Sequence, residues 1–370
     1  MKSIVLISAA AAVMIAQGAT AQGIALFGDA RLGLGYNIDN DGGILRETDA
    51  AGMASTPDDL RAVSRVRFGV NMTGETDRGI TFGATIRADN AVGGEGGTVG
   101  QSEGEVFVSG GFGSLTYGDT NAADEQWVGD VPGDFSLTGL GELDETRFVS
   151  NGGSFGADDG VSFAANPQAR PTVRYDFDYG GFGLSLSSNR DLTDIGVGAG
   201  YAADLGGGSW SVGAGYYKFD TFLEVGDPEL SLDEDGNVIE TAPEFFIPSG
   251  EQWSVALKAD YAGFSAGATY ASLSSDTTES GRYEADNLLL GAAYTVDAWS
   301  VGLVYGKILG ASGALEEIDG EDSYEISGQY DLGGGATLNG GVRRTYNLVN
   351  DDGTEADTAW VGDFGIAMSF

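Results

Sequence analysis

Apolar residues occupy alternate positions in many separate stretches of the chain. Between residues 252 and 261 every second residue is apolar, and its neighbours are mostly polar or small; residues 64–73, 173–179 and 359–370 repeat the pattern. A period of two is typical of β-strands with one apolar and one wet face, and a helical period of 3.6 is nowhere sustained. The sequence therefore predicts an all-β protein.

The connections between the predicted strands are alternately short and long. Short turns are predicted at residues 74–79, 110–113, 180–181, 203–208, 262–263, 296–298 and 332–335. Longer segments are predicted at residues 37–62, 90–102, 119–171, 188–194, 219–250, 272–286, 308–321 and 346–357. These connections separate sixteen strands, and short turns on one side with long loops on the other are typical of an outer-membrane β-barrel. A soluble sandwich shows the same alternation along a strand, so connection length favours the barrel.

Aromatic residues bracket four of the short turns. The pairs are Tyr179 and Phe182, Tyr201 and Trp210, Tyr261 and Phe264, and Tyr294 and Trp299. Amphipathic rings are stable at the boundary between lipid and water, which predicts an aromatic girdle on the periplasmic side. Ordinary cross-strand pairing explains any single pair equally well, but four pairs at like positions favour the girdle.

The first 21 residues have the pattern of a secretory signal peptide. Lys2 precedes an apolar stretch from Ile4 to Ile15, and Ala19-Thr20-Ala21 is a small-x-small cleavage site. We expect cleavage after Ala21, which leaves residues 22–370 as one barrel domain. The alternative, a membrane anchor, needs a longer apolar stretch.

The composition excludes several classes of function. The 370 residues include 56 acidic and 18 basic side chains and neither His nor Cys, so the net charge is −38. A chain this acidic repels the phosphates of nucleic acids. Without Cys or His it lacks the usual zinc ligands and the usual nucleophile–base pairs. Acidic pairs are too abundant to single out a glycosidase site, and the glycine-rich run 196–200 precedes no helix that could bind a dinucleotide.

Two segments resemble a known family. The chain ends in Phe370 after alternating apolar residues from Trp360, and Gly111-Phe-Gly-Ser-Leu-Thr-Tyr-Gly-Asp119 reads as a turn, a strand and the entry to a long loop. With the signal peptide and the loop pattern, these segments resemble the general-diffusion porins of Gram-negative bacteria, in particular the trimeric porins of alphaproteobacteria. The resemblance implies a 16-stranded antiparallel transmembrane barrel, a homotrimer in the outer membrane, and Phe370 as the signal for the assembly machinery.

The resemblance also implies where the channel is narrowest. In the family the third external loop, here about residues 119–171, folds into the barrel, and its acidic residues face basic residues on the wall. The acidic candidates on this loop are Asp124, Glu125, Asp130, Asp134, Glu142, Asp144 and Glu145. Strand alternation directs Arg31, Arg65, Arg67, Arg87 and Arg343 into the lumen. If the last strand pairs with the first, these arginines share one arc of the wall and create a transverse field. Arginines that are merely solvated, or paired with a neighbouring acid, are the alternative.

The expected function is a passive, mildly cation-selective channel for small hydrophilic solutes and ions, without catalysis. A substrate-selective channel is the alternative, and it would need a track of inward aromatic rings, whereas only Phe107, Tyr217 and Phe219 are expected inside. An exported β-rich adhesin or lectin is a third hypothesis, which explains neither Phe370 nor the alternating connections.

One segment resembles half of a calcium-binding loop. Asn37, Asp39 and Asp41 have the spacing of the first ligands, but the twelfth position is Thr48 in place of Glu. The sequence therefore predicts at most a loosely bound Ca²⁺ and no other cofactor. Outer-membrane lipids and lipopolysaccharide are expected partners, with divalent cations bridging the acidic external loops to the anionic lipid A headgroups; loops that are merely solvated are the alternative.

Overall fold

The computed structural model describes most of the region predicted to form the barrel. The described residues are 22–36, 60–90, 99–140, 148–151, 171–204, 206–220, 222–225, 229–232, 238–241, 244–247, 249–276, 282, 284–313, 319–346 and 358–370. The predicted signal peptide, and the Ca²⁺ candidates Asn37, Asp39 and Asp41, lie outside these residues. The prediction of a single domain after residue 21 therefore stays a prediction.

The described residues form twenty strands. They are β1 (Gln22–Tyr36), β2 (Leu60–Glu75), β3 (Thr81–Asn90), β4 (Val99–Gly110), β5 (Gly113–Gly118), β6 (Thr172–Tyr179), β7 (Phe182–Asn189), β8 (Ile195–Asp204), β9 (Gly208–Phe219), β10 (Phe222–Val225), β11 (Glu229–Leu232), β12 (Val238–Thr241), β13 (Glu244–Ile247), β14 (Gly250–Tyr261), β15 (Phe264–Ser275), β16 (Glu284–Val296), β17 (Trp299–Ser312), β18 (Asp322–Gly333), β19 (Ala336–Tyr346) and β20 (Thr358–Ser369).

Sixteen of these strands, β1–β9 and β14–β20, form one closed antiparallel barrel. Each barrel strand pairs with the next along the chain, and β20 pairs with β1 to close the sheet. The predicted strand number, short turns and long connections are confirmed. The sequence did not predict the four short strands between β9 and β14, in which β10 pairs with β13 and β11 with β12.

The two faces of the barrel have opposite characters, as the alternation predicts. On β14, Trp253 and Val255 are exposed on the outside, whereas Gln252 and Ser254 are buried on the inside. Lipid offers no hydrogen bonds, so a closed sheet with an apolar outer face is the form in which strands can cross it. The outward apolar side chains are therefore placed to contact lipid.

A belt of aromatic rings surrounds much of the short-turn end of the barrel. Ring centroids are 4.5 Å apart for Phe182 and Tyr201, and 4.3 Å apart for Phe264 and Tyr294. The contacts link neighbouring strands, so cross-strand pairing and the girdle describe the same rings. Within the ranges that the structure describes, no helix is long and apolar enough to span a bilayer.

Candidate functional site: the channel interior and its inserted loop

The third loop enters the barrel at a glycine that no other residue could replace without strain. Gly118 ends β5 with φ +138°, and a Cβ atom there would lie 2.1 Å from the carbonyl oxygen of Gly104. Asp119 donates its backbone N–H to the same oxygen at 3.0 Å. A positive φ and a close backbone approach both require glycine, so the chain can turn inward here.

Beyond Gly118 the third loop follows the inner wall. Helix α1 (Ala123–Gln126) packs against β7, β8, β9 and β14. The backbone N–H of Ala123 donates to Ser187 Oγ at 2.8 Å, and that of Phe135 donates to Ser327 Oγ on β18 at 2.9 Å. Thr138 donates its N–H and its hydroxyl to Asp363 Oδ2 on β20, both at 2.7 Å. The inward fold of this loop is thus confirmed for residues 119–140.

Small wall residues make room for the loop along this path. Gly291 and Gly302 lie directly beneath its backbone, since Cβ atoms there would lie 2.0 Å from the carbonyl oxygen of Pro132 and 1.8 Å from that of Gly133. In a later part of the same loop, Phe148 packs with Val128 and Ala256 in a small apolar cluster inside the barrel. The loop therefore lies flat against the wall where it is described.

Two of the acidic candidates on the loop are buried in α1, against β7, β8, β9 and β14, which differs from the expectation that they face the basic residues of the wall. Asp124 is 1% exposed and Glu125 is 2% exposed. Burial raises the pKa of Asp124 to about 6, although hydrogen bonds from Ser150 Oγ (2.8 Å) and from backbone N–H groups oppose the rise. Glu125 accepts a hydrogen bond from Asn121 Nδ2 at 3.1 Å. Docking of α1 on the wall encloses these carboxyl groups, and residue type alone could not reveal this.

The other acidic candidates have different positions. Asp130 is exposed, and Asp134 is half-buried beside Glu325 of β18. Three remaining candidates lie outside the described residues: Glu142, Asp144 and Glu145. Of the acidic residues that can be placed, Asp130 therefore presents its charge to water most fully.

The five arginines lie on neighbouring strands, because β19, β20, β1, β2 and β3 are adjacent in the closed sheet. Arg31 Nη1 donates to the carbonyl oxygen of Leu137 at 3.1 Å, and Arg343 Nη1 donates to that of Leu140 at 2.9 Å. Arg65 lies opposite Arg31 in the sheet and forms an ion pair with Asp29 at 3.2 Å. Two arginines thus hold the loop backbone, and a third is paired with a wall acid. Arg67 and Arg87 belong to the same arc, on β2 and β3.

The sequence model of the Gram-negative porin family matches residues 8–350. The chain belongs to the Gram-negative porin family. A porin of Rhodobacter capsulatus is 28% identical over 368 residues, which cover 94% of this chain and all of the relative. A refined porin structure matches with a TM-score of 0.59 and 23% identity, and a mutant of Rh. blastica porin with 0.56 and 18%; each covers 94% of this chain and the whole of the other. These structural likenesses concern the fold.

Membership of the family establishes the setting of the barrel. The protein is a porin of the outer membrane of a Gram-negative bacterium, which its strands cross many times, and it is a channel protein rather than an enzyme. The lumen and the third loop are therefore its functional site.

Sequence reasoning missed several residues that hold the loop of this porin. Arg174 on β6 is buried; its Nε donates to Asp176 Oδ2 at 2.9 Å and its Nη1 to the carbonyl oxygen of Asn121. Strand alternation places both charged side chains inside, so this pair could have been found. Trp127 and Asp363 could not, because their roles depend on which strands lie beneath the loop.

The inward aromatic rings that lie within the described residues do not form a track. Tyr217 and Phe219 are buried, and Tyr217 Oη donates to Asp194 Oδ2 at 2.8 Å near the loop end of the wall. Phe107 is half-buried. The expectation that these were the only inward rings was incomplete, because Phe27 also lies inside, against Gly69 of β2.

Proposed function

We propose that this porin is a general-diffusion channel for small hydrophilic solutes and ions, with a mild preference for cations. The observation that carries the proposal is that residues 119–140 of the third loop lie flat along the inner wall, a position that should narrow the lumen without closing it. A narrowed, water-filled lumen selects solutes by size and charge and needs no binding step.

The charge distribution supports a mild rather than a strong preference for cations. The chain has a net charge of −38, and acidic loops raise the concentration of cations at the channel mouth. Inside, Asp124 and Glu125 are enclosed, and five arginines share one arc of the wall. The interior therefore opposes the preference that the outer surface creates.

The reversal potential of the channel under a KCl gradient tests this proposal in planar bilayers. We expect a cation preference that fades with salt, because the Debye length falls from about 10 Å at 0.1 M to about 3 Å at 1 M. Replacing Arg65→Gln and Arg67→Gln together should increase the cation preference. The matched control is Asp130→Asn with Asp134→Asn, which changes charge by the same amount in the opposite sense. An anion preference at low salt would refute the proposal.

The substrate-selective alternative gains no support from the aromatic rings that can be placed. Two of the three predicted inward rings, Tyr217 and Phe219, are buried rather than lining the lumen. Saturation of flux with increasing sugar concentration would favour that alternative over simple diffusion.

We also propose the assembly and partners that the family resemblance implies. These are a homotrimer, contacts of the outer loops with lipids and lipopolysaccharide, recognition of Phe370 by the assembly machinery, and loosely bound Ca²⁺ at Asn37, Asp39 and Asp41. Phe370 is well placed for recognition before closure of the barrel, since its side chain is exposed and its N–H bonds to Gly28 of β1 only once β20 has paired.

A further inference from the structure

We propose that Trp127 is the positioning residue that holds the third loop against the inner wall. Trp127 lies in a recess of the inner wall that we call the glycine slot. The slot is formed by Gly183, Gly200 and Gly213 of β7, β8 and β9. In this proposal the slot sets the width of the open channel. The inference rests on the proposed diffusion function, because it concerns the passage through which solutes would move.

The glycine slot is a continuous row across three strands. Gly183 pairs with Gly200, and Gly200 pairs with Gly213. Cβ atoms at Gly183 and Gly200 would lie 1.8 Å from Cη2 and 2.5 Å from Cε3 of Trp127. A Cβ atom at Gly213 would lie 1.9 Å from the carbonyl oxygen of Trp127. One methyl group at any of these three positions would therefore displace the indole or the backbone that carries it.

The indole of Trp127 is held by a hydrogen bond at its N–H as well as by the glycines that its ring contacts. Trp127 Nε1 donates to Ser185 Oγ at 2.9 Å, and that hydroxyl donates to Asp176 Oδ1 at 2.5 Å. Asp176 also accepts from Arg174, which in turn donates to the carbonyl oxygen of Asn121. A buried indole N–H needs an acceptor, and this one is linked through the wall to the beginning of the loop.

The glycines of this wall are explained by the loop rather than by the strands. Glycine weakens the interior of a strand, and it often marks a place where another backbone approaches closely. Gly198 and Gly215 lie next to the glycine slot, directly beneath α1. Cβ atoms at these two positions would lie 1.8 Å from the carbonyl oxygen of Ala123 and 2.0 Å from that of Asp124. The wall therefore has its smallest residues where the loop is seated.

Release of Trp127 should free the loop and leave the barrel intact. Every barrel strand is bonded to a neighbour on both sides without help from the loop. Truncating a large aromatic side chain in a filled site should lower the ratio of docked to released loop by about 100- to 1,000-fold. The thermal unfolding temperature of the barrel, which reports on its strand pairing, should change far less.

Thiol labelling measures this ratio directly, since the chain contains no cysteine. Ser254 on β14 is buried beneath α1, with its Oγ 3.4 Å from the carbonyl oxygen of Asp124. In a Ser254→Cys protein, a water-soluble methanethiosulfonate should react slowly, and adding Trp127→Ala should speed the reaction by about 100- to 1,000-fold. Trp127→Phe, which keeps a ring but loses the N–H donor, should give an intermediate rate. An unchanged rate with Trp127→Ala would overturn the proposal.

Single-channel conductance tests the link to channel width. Gly200→Ala should push the indole into the lumen and lower the conductance, and the same substitution should have a much smaller effect when Trp127→Ala is present, because only the Cβ of residue 127, at 3.2 Å, then remains close. Gly23→Ala on β1 is the matched control, because it also faces inward, beside the outward Ile24 on the same strand, and its Cβ would find its nearest neighbour, Thr73 Oγ1, at 3.8 Å. A loss of conductance from Gly200→Ala that persists without Trp127 would show that the strand, and not the indole, is responsible.

The two experiments separate this inference from the proposed function. If the unmodified protein does not conduct in planar bilayers, the diffusion function fails while the labelling rate still reports on Trp127. If the unmodified protein conducts but Trp127→Ala changes neither labelling nor conductance, the positioning role fails alone.

Discussion

At the scale of single residues, burial distinguishes acidic groups that the sequence shows as equivalent. Asp124, Glu125 and Asp130 belong to one short stretch, yet the first two are enclosed and the third is exposed. An enclosed carboxyl group loses hydration, so its charged form becomes less stable than in water. Such a group contributes to how the loop docks rather than to the charge that passing ions meet.

Asp124 should make loop docking depend on pH. Its pKa is raised from 3.8 to about 6 in the docked loop, so docking is most stable at low pH and weakens as the pH rises through this interval. The difference amounts to about 3 kcal/mol at 1.36 kcal/mol per pKa unit. Open-channel noise in planar bilayers should therefore be lower at pH 4.5, which lies inside this interval, than at pH 7.5, which lies above it.

The substitution Asp124→Asn should remove most of this pH dependence, because the amide stays neutral throughout. Asp130→Asn is the matched control on the same loop, and it should leave the dependence in place since Asp130 is exposed. Equal pH dependence in the Asp124→Asn protein and the unmodified one would assign the effect to another group.

At the scale of elements, the third loop is fastened at both ends of its described path. Trp127 occupies the glycine slot at one end, and Thr138 binds the carboxylate of Asp363 at the other. Between them, Pro132 and Gly133 lie on glycines of β16 and β17. The two ends are chemically different, so each can be weakened separately.

Asp363→Ala should loosen the far end of the loop. Asp363 accepts two hydrogen bonds from Thr138 and one from the backbone N–H of Gly341. A hydrogen bond to a charged group contributes about 1.5–3 kcal/mol, so the loss should appear as larger fluctuations of single-channel current. Asp331→Ala is the control, because Asp331 binds Gly333 in a short turn remote from the loop. Equal fluctuations in both variants would contradict the anchoring role.

The elements differ in how far the sequence predicts them. Strands such as β14 were predictable because successive side chains face lipid and the barrel interior in turn. The resulting alternation of apolar and polar residues is visible in the local sequence. The seat of Trp127 was not predictable, because it exists only when Gly183, Gly200 and Gly213 are aligned by the register of three strands. The glycine-rich run 196–200 lies on β8, and nothing in its local sequence indicates that α1 covers it.

At the scale of the whole molecule, the outer surface differs around the barrel. On the barrel strands from β6 to β18 the short-turn end carries aromatic rings, most of them Tyr or Trp, as at Tyr179, Tyr261 and Trp299. On β1 the corresponding positions are Ile24 and Leu26, which are 75% and 68% exposed. Rings with a polar edge suit lipid headgroups, and they are not needed where a neighbouring chain covers the barrel. This side of the barrel is therefore the better candidate for contact within the proposed trimer.

The trimer and its contact side can be tested together. In mild detergent the mass should correspond to three chains, and Ile24→Ala with Leu26→Ala should lower the temperature at which they dissociate. Val301→Ala with Leu303→Ala on β17 is the matched control, because these side chains are also exposed on the outer face. A mass of one chain would refute the trimer, and equal effects of both pairs would place the contact elsewhere.

Neighbouring residues along each barrel strand face different surroundings, as Trp253 and Ser254 do. A point mutation therefore alters either what the channel admits or how the barrel fits its membrane, and the next residue on the same face lies two positions away. Natural selection for permeability and natural selection for membrane compatibility act on separate sets of codons. A bacterial population can change the nutrients it admits without having to re-adapt the protein to its lipids.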